Sequence, residues 1–239
     1  MDLLDRLSHF TTFDLAALAV LVGSWMILGY FIENDFKNMK SVTTLMAQYR
    51  REWMIQMITR EPRVFDAQIL AMMRQGTSFF ASATMIAIGG CMALLGNTEQ
   101  LMGFAQDLTL ANDPLIIWEL KLLVIVIFLA NAFLKFVWAN RLFGYCAVLM
   151  GAVPNDPKDP LTLIRARKAG EINISAARSF NRGLRSVYYA LAASAWLLGA
   201  EALMIATVTT CLVLLRREFT SQSKKVLMQP EYNNTDTQT

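Results

Sequence analysis

The chain has 239 residues, of which 55% are hydrophobic and only 17% charged. With a mean hydropathy of +0.38, it is too apolar and too weakly charged for an ordinary soluble domain. Its three cysteines, Cys91, Cys146 and Cys211, are odd in number and lie in or beside apolar segments, which argues against a disulfide framework or a zinc-ligand spacing.

A spanning helix needs roughly 20 apolar residues to cross about 30 Å of hydrocarbon. Four stretches meet or approach that length: 15–32, 77–96, 115–138 and 187–215. The predicted class is an all-α integral membrane protein with about four transmembrane helices and amphipathic cytoplasmic helical extensions. Residues 1–219 form one helical membrane domain in this reading, and 220–239, rich in Gln, Asn, Thr and Ser, form a disordered polar tail.

Asp2, Asp5 and Asp14 make the front of the first stretch acidic, and no small-residue cleavage pattern follows it, so it reads as a retained span. In the connection 33–76, Met39, Val42, Met46, Tyr49, Trp53 and Met57 recur at intervals of three and four, which predicts an amphipathic helix. Its stripe is expected on the protein's own cytoplasmic helices or the lipid interface, with a partner-docking face as the alternative. Pro62 lacks a backbone donor and clashes with the preceding turn, so a new helix is expected from about Arg63 into the second span. In that span Ala83, Ala87, Gly89, Gly90 and Cys91 permit close helix approach, within one chain or in a homo-oligomer.

The third span carries Glu119 and Lys121 near one end and Asn131 and Lys135 toward the other. These are candidate polar positions, although both lysines can snorkel to a membrane interface. Pro154, Pro157 and Pro160 then mark a turn, and Asp159 before Pro160 is a helix start. The long helix expected to follow carries Asn181, Arg182, Gly183 and Arg185, an amide and two guanidinium groups around a flexible glycine. With Arg141, these are candidate contacts for anionic headgroups or an acidic partner, and a positive-inside anchor is the plainer alternative. Folded back on itself, the last stretch of 29 residues would give about 21 Å per arm, short of the hydrocarbon thickness, so a single tilted span is expected. Glu201 then falls near its middle, as either an ion site or a hydrogen-bonded acid facing the bundle.

Seven Lys and Arg residues lie in 33–76 and eight in 139–186, whereas 97–114 contains none. Positive residues flanking spans stay on the cytoplasmic side, which predicts a multi-pass protein of the cell's inner membrane with cytoplasmic basic connections and an external N-terminus. A single last span leaves Arg216, Arg217, Lys224 and Lys225 outside, against the same rule.

No phosphate-binding glycine loop with Lys, His-Glu-x-x-His helix or Gly-x-Ser-x-Gly elbow is present. His9 is the only histidine, which excludes bis-histidine haem within one chain, and the fourteen methionines read as packing residues. No cofactor or metal is expected. Membrane lipids with anionic headgroups are the expected contacts of the basic surface, rather than nucleic acid.

Several strings together resemble an uncharacterised membrane-protein family, domain of unknown function 599, over roughly residues 14–221. They are Asp66 before the second span, Phe79-Phe80-Ala81-Ser82, Ile88-Gly89-Gly90, Glu119-Leu120-Lys121, Ala132-Phe133-Leu134-Lys135-Phe136-Val137-Trp138, Arg141, Gly151-Ala152-Val153-Pro154, Phe180-Asn181-Arg182-Gly183-Leu184-Arg185, Tyr188-Tyr189 and Arg216-Arg217-Glu218-Phe219. The resemblance implies a multi-pass membrane protein without an established activity. It also implies an uncharged, proline-containing stretch where this chain has Gly199-Ala200-Glu201, which weakens Glu201 as a shared ion site. The expected function is a non-enzymatic structural or accessory subunit, assembling with itself or a larger membrane complex. The alternative, a small ion or solute transporter, needs a connected row of polar groups through the bundle. A membrane enzyme would need Asp66, Arg74, Lys135, Arg141, Asn181 and Arg182 to converge on one cavity.

Overall fold

The computed structural model describes residues 10–34, 40–97, 100, 103 and 114–230. The described residues are overwhelmingly helical and contain no strand. The longer helices are α1 (Thr12–Glu33), α2 (Val42–Gln56), α3 (Val64–Leu95), α4 (Leu115–Gly151), α5 (Pro160–Ser194) and α6 (Ala200–Phe219), followed by the short α7 (Gln222–Leu227). Three of them, α1, α3 and α4, are long and apolar enough to cross a membrane. The fold is that of an all-α integral membrane protein.

Local chemistry sets several boundaries. Thr11 and Asp14 form a capping box at the start of α1, each side chain accepting a bond from the other's backbone N–H at 3.1 Å. Asp159 caps α5 through the Leu161 N–H at 2.7 Å, with Pro160 in the first turn, as its sequence predicts. A three-residue 3-10 turn, Met57–Thr59, ends α2 ahead of Pro62, and α3 begins at Val64.

The antiparallel pair α4 and α5 is the spine. Ser179 Oγ donates to the Lys135 carbonyl at 2.9 Å, and Cys146 Sγ donates to the Ala169 carbonyl at 3.4 Å. With 37 and 35 residues they are roughly 55 and 52 Å long, well beyond the hydrocarbon thickness. There are accordingly two cores. One joins α1, α4, α5 and α6 through Leu21, Trp118, Phe128, Tyr189, Trp196 and Leu203. The other lies where α4 and α5 run on past the apolar segment and hold α2 and the start of α3 through Met54, Met57, Leu70, Phe143, Met150 and Ala166. Both basic connections meet at this second core, hereafter the basic end.

The last apolar stretch is not the single tilted rod expected for 187–215. α5 ends at Ser194, a 3-10 turn covers Ala195–Leu198, and Gly199 at φ 120° reverses the chain into α6. α6 returns antiparallel to α5: Tyr189 Oη lies 3.4 Å from Cys211 Sγ, and Arg217 Nη1 donates to Tyr188 Oη at 2.9 Å. The length argument against a hairpin fails because both arms extend beyond the apolar window. α5 draws on Asn173, Ser179 and Arg185, polar residues buried against neighbouring helices, and α6 runs on to Phe219. Arg216 and Arg217 therefore sit at the basic end with the other positive connections.

The expected stripe on α2 is also displaced. Leu45, Ala47, Met54 and Met57 are buried, Val42 and Trp53 are half-buried, and Met46 and Tyr49 are exposed; Met39 lies outside the described residues. The packed face is turned by about one residue toward Ala47, Arg50 and Met54, because Gly170 of α5 admits α2 closely there: a Cβ on it would lie 3.5 Å from the Arg51 Cα. Part of the expected disordered tail is helical, since Ser221 caps α7 by accepting from the Lys224 N–H at 3.2 Å.

Candidate functional site

The charged residues of α5 meet the end of α1 at the boundary between the two cores. Glu33, in the last turn of α1, accepts from Arg182 Nε at 2.9 and 3.0 Å, and also from the Nη2 groups of Arg182 and Arg185. Arg185 is buried, Glu33 mostly so, and Arg182 about half exposed. Two guanidinium groups share one carboxylate, which clasps α1 to α5. Truncating Glu33 would leave Arg185 buried and unpaired, the costly way to break such a cluster.

Beside the clasp is a crevice of about 350 Å³ that also takes in Trp25, Asn131, Lys135 and Ser186. Lys135 brings its positive charges to three against the one of Glu33, so the crevice carries an excess of two. Asn131 and Ser186 add neutral hydrogen-bonding groups. An open, basic, amide-bearing pocket at the end of an apolar helix suits the phosphate or carboxylate of an anionic molecule. The structure thus brings together Asn131, Lys135, Arg182 and Arg185 of the expected candidates. Glu33 was not among them: a lone carboxylate at the end of an apolar run reads as polar flank, and only the fold places it against two arginines.

Other candidates lie elsewhere. Asn181 turns toward α2, its Nδ2 donating to Thr43 Oγ1 at 3.4 Å. Arg141 is exposed and stays on its own helix, donating from Nε to Tyr145 Oη at 2.6 Å. At the end away from the basic residues, Asp14 Oδ1 accepts from Trp196 Nε1 at 2.8 Å. Lys121 is buried there, its Nζ 5.0 Å from the Trp118 ring centroid, instead of snorkelling outward as expected. Glu119 is half-buried two residues away. Glu201 is not deep in a span: it is exposed in the first turn of α6, where it shares a crevice with Asp14 and Lys121. The break at Gly199 moved it from the middle of a rod to the end of a hairpin.

Of the groups of the enzyme reading only Lys135 and Arg182 share a cavity, the crevice beside Glu33. Asp66 is fully buried and accepts from Trp53 Nε1 at 2.7 Å and from Arg60. Arg74 reaches Asn140 at 3.5 Å. Among the described residues no group of three or more His, Cys, Asp or Glu side chains is placed to hold a metal ion.

Fold and site together define a multi-pass helical membrane protein with paired charges at its helix ends. Residues 16–223 match the model of a family described as protein of unknown function, DUF599, and the chain belongs to that family. No curated protein and no solved structure matches the chain.

Proposed function

We propose that this chain is a non-enzymatic component of the cell's inner membrane, a structural or accessory subunit that assembles with itself or a larger membrane complex through α3. One observation carries this reading. α3 is 32 residues long and packs chiefly on α4, so most of its apolar surface is left outward. That surface has Phe79 and Ile86 beside exposed Ser82, Ala83, Gly89 and Gly90, with open space around both glycines. Small residues let helix backbones approach closely in lipid, where there is no hydrophobic drive to association.

In this reading the basic end faces the cytoplasm, α5 and α6 cross the bilayer as a pair, and the N-terminus is external. The polar clusters fasten helix ends, and between them Trp25, Phe128 and Tyr189 stack through the bundle, Trp25 and Phe128 edge to face at 5.5 Å. Such a filled centre favours a packed subunit over a transporter, which needs polar groups along its path. The test is the mass and composition of the particle extracted from native membranes in a mild detergent, compared with a Gly89→Leu, Gly90→Leu variant. A stoichiometric partner or self-assembly that the variant loses is the expected outcome. A monomer in both preparations removes the proposal.

A further inference from the structure

One to two turns before the clasp along α5, a second crevice of about 310 Å³ opens at the basic end between α2, α5 and the end of α6. Three helices each contribute an arginine to it: Arg50 from α2, Arg178 from α5 and Arg217 from α6. The carboxylate on its wall, Glu218, is committed to α2, accepting from the Thr43 N–H at 3.2 Å and from Thr43 Oγ1 at 3.1 Å.

None of the three arginines is paired with a carboxylate among the described residues. Arg50 reaches from α2 to α5 and α3, where it donates only to neutral atoms, Asn173 Oδ1 and, at 3.6 Å, Met73 Sδ, and it also borders a smaller crevice beside Met73 and Thr77 of α3. Its burial holds the guanidinium below its usual pKa, the mark of a charge that has lost water. Arg217 donates to Tyr188 Oη, and Arg178 is exposed without a hydrogen-bond partner among the described residues. Arg51, one residue from Arg50, shows the contrast, since its Nε donates to Glu171 at 2.6 Å. The crevice thus holds three guanidinium groups against the single carboxylate of Glu218, an excess of two positive charges around a partly desolvated arginine that a bound anion would offset. Guanidinium groups bind phosphate oxygens in pairs, and three from different helices can surround one phosphate.

We infer that this crevice binds a phosphate group, carried by a lipid headgroup or by a small soluble molecule, through Arg50, Arg178 and Arg217, with Asn181 and Ser221 adding hydrogen bonds. The site does not depend on assembly through α3. Because Arg217 and Glu218 close α6 while Thr43 and Arg50 belong to α2, an occupied site draws the end of the hairpin onto the extension.

The test uses the full chain. In phosphatidylcholine nanodiscs it is titrated with inorganic phosphate by calorimetry. In mixed phosphatidate and phosphatidylcholine vesicles it is extracted, and its retained lipid is counted by native mass spectrometry. Saturable phosphate binding that Arg178→Gln weakens by about tenfold assigns a soluble ligand. Selective retention of phosphatidate, lost in the same variant, assigns a headgroup. Arg178 is exposed, so its substitution leaves the fold intact; Arg217→Gln is expected to act alike. No binding in either arm overturns the inference. So does binding that neither substitution changes, or binding that only Arg182→Gln abolishes, which would place the anion at the Glu33 crevice.

Discussion

A Cβ added at Gly183 would lie 2.6 Å from Cε1 of Phe136, a fully buried ring that stacks on Phe80 and tilts against Phe180. The sequence suggests a flexible glycine among charged residues. The fold instead uses it to leave room on α5 for the Phe136 ring of α4, inside a helix and with no special backbone angle. Gly183→Ala is therefore expected to cost about 1–3 kcal/mol through overpacking, read as a lower melting temperature in detergent. Adding Phe136→Leu should recover part of that loss, and an unchanged melting temperature in the single variant would show that the ring has room to move. Asn181, Arg182 and Arg185 illustrate how little adjacency in sequence says about shared environment. Arg182 and Arg185 meet Glu33, while Asn181 meets Thr43 of another helix.

The hairpin of α5 and α6 turns on one residue. Gly199 adopts φ 120° and ψ 167°, a region that glycine enters freely and other residues hardly at all. A Cβ there would touch nothing within 4 Å, so any loss on substitution comes from the backbone and not from crowding. Gly199→Val is expected to destabilise the protein by about 1–3 kcal/mol. Gly23→Ala, inside α1 and equally open, should be neutral or stabilising by up to about 1 kcal/mol. Chemical denaturation of the two variants side by side checks both. Equal midpoints would mean that the turn tolerates other backbone angles. The stripe on α2 belongs to this scale as well. Its helical period is legible in the residues, but which side of the helix packs was settled by the close approach to Gly170.

For the whole molecule, the hairpin changes where the chain ends. With α6 returning to the basic end, Arg216, Arg217, Lys224 and Lys225 join the other positive connections, and the apparent exception to the charge rule disappears. An impermeant thiol reagent applied to sealed cells should label Asn97→Cys and leave Asn155→Cys and Gln222→Cys unlabelled until the membrane is opened, in a background with Cys91, Cys146 and Cys211 replaced. Labelling of Gln222→Cys from outside would return the last segment to a single crossing. The three apolar helices, the amphipathic α2, the break near Pro62 and the start of α5 were all legible in the sequence. Each depends on composition or on residues within a turn or two of one another. The proposed orientation rests on the same local counting of charges.

By itself the sequence determined that the chain is a helical membrane protein of this family, where most of its helices begin, and that its positive charge gathers in two connections. Those are matters of solvent preference and short-range backbone chemistry, which a linear string carries in full. Only the tertiary structure decided that the last apolar stretch is a hairpin, that Glu201 lies at its turn, and that Glu33 answers Arg182 and Arg185 from 149 and 152 residues away. It also left Arg50 between helices with only neutral hydrogen-bond partners. The reason is that charge pairing and burial depend on which helix faces meet. That is fixed by packing between segments far apart in the chain, which no local pattern records.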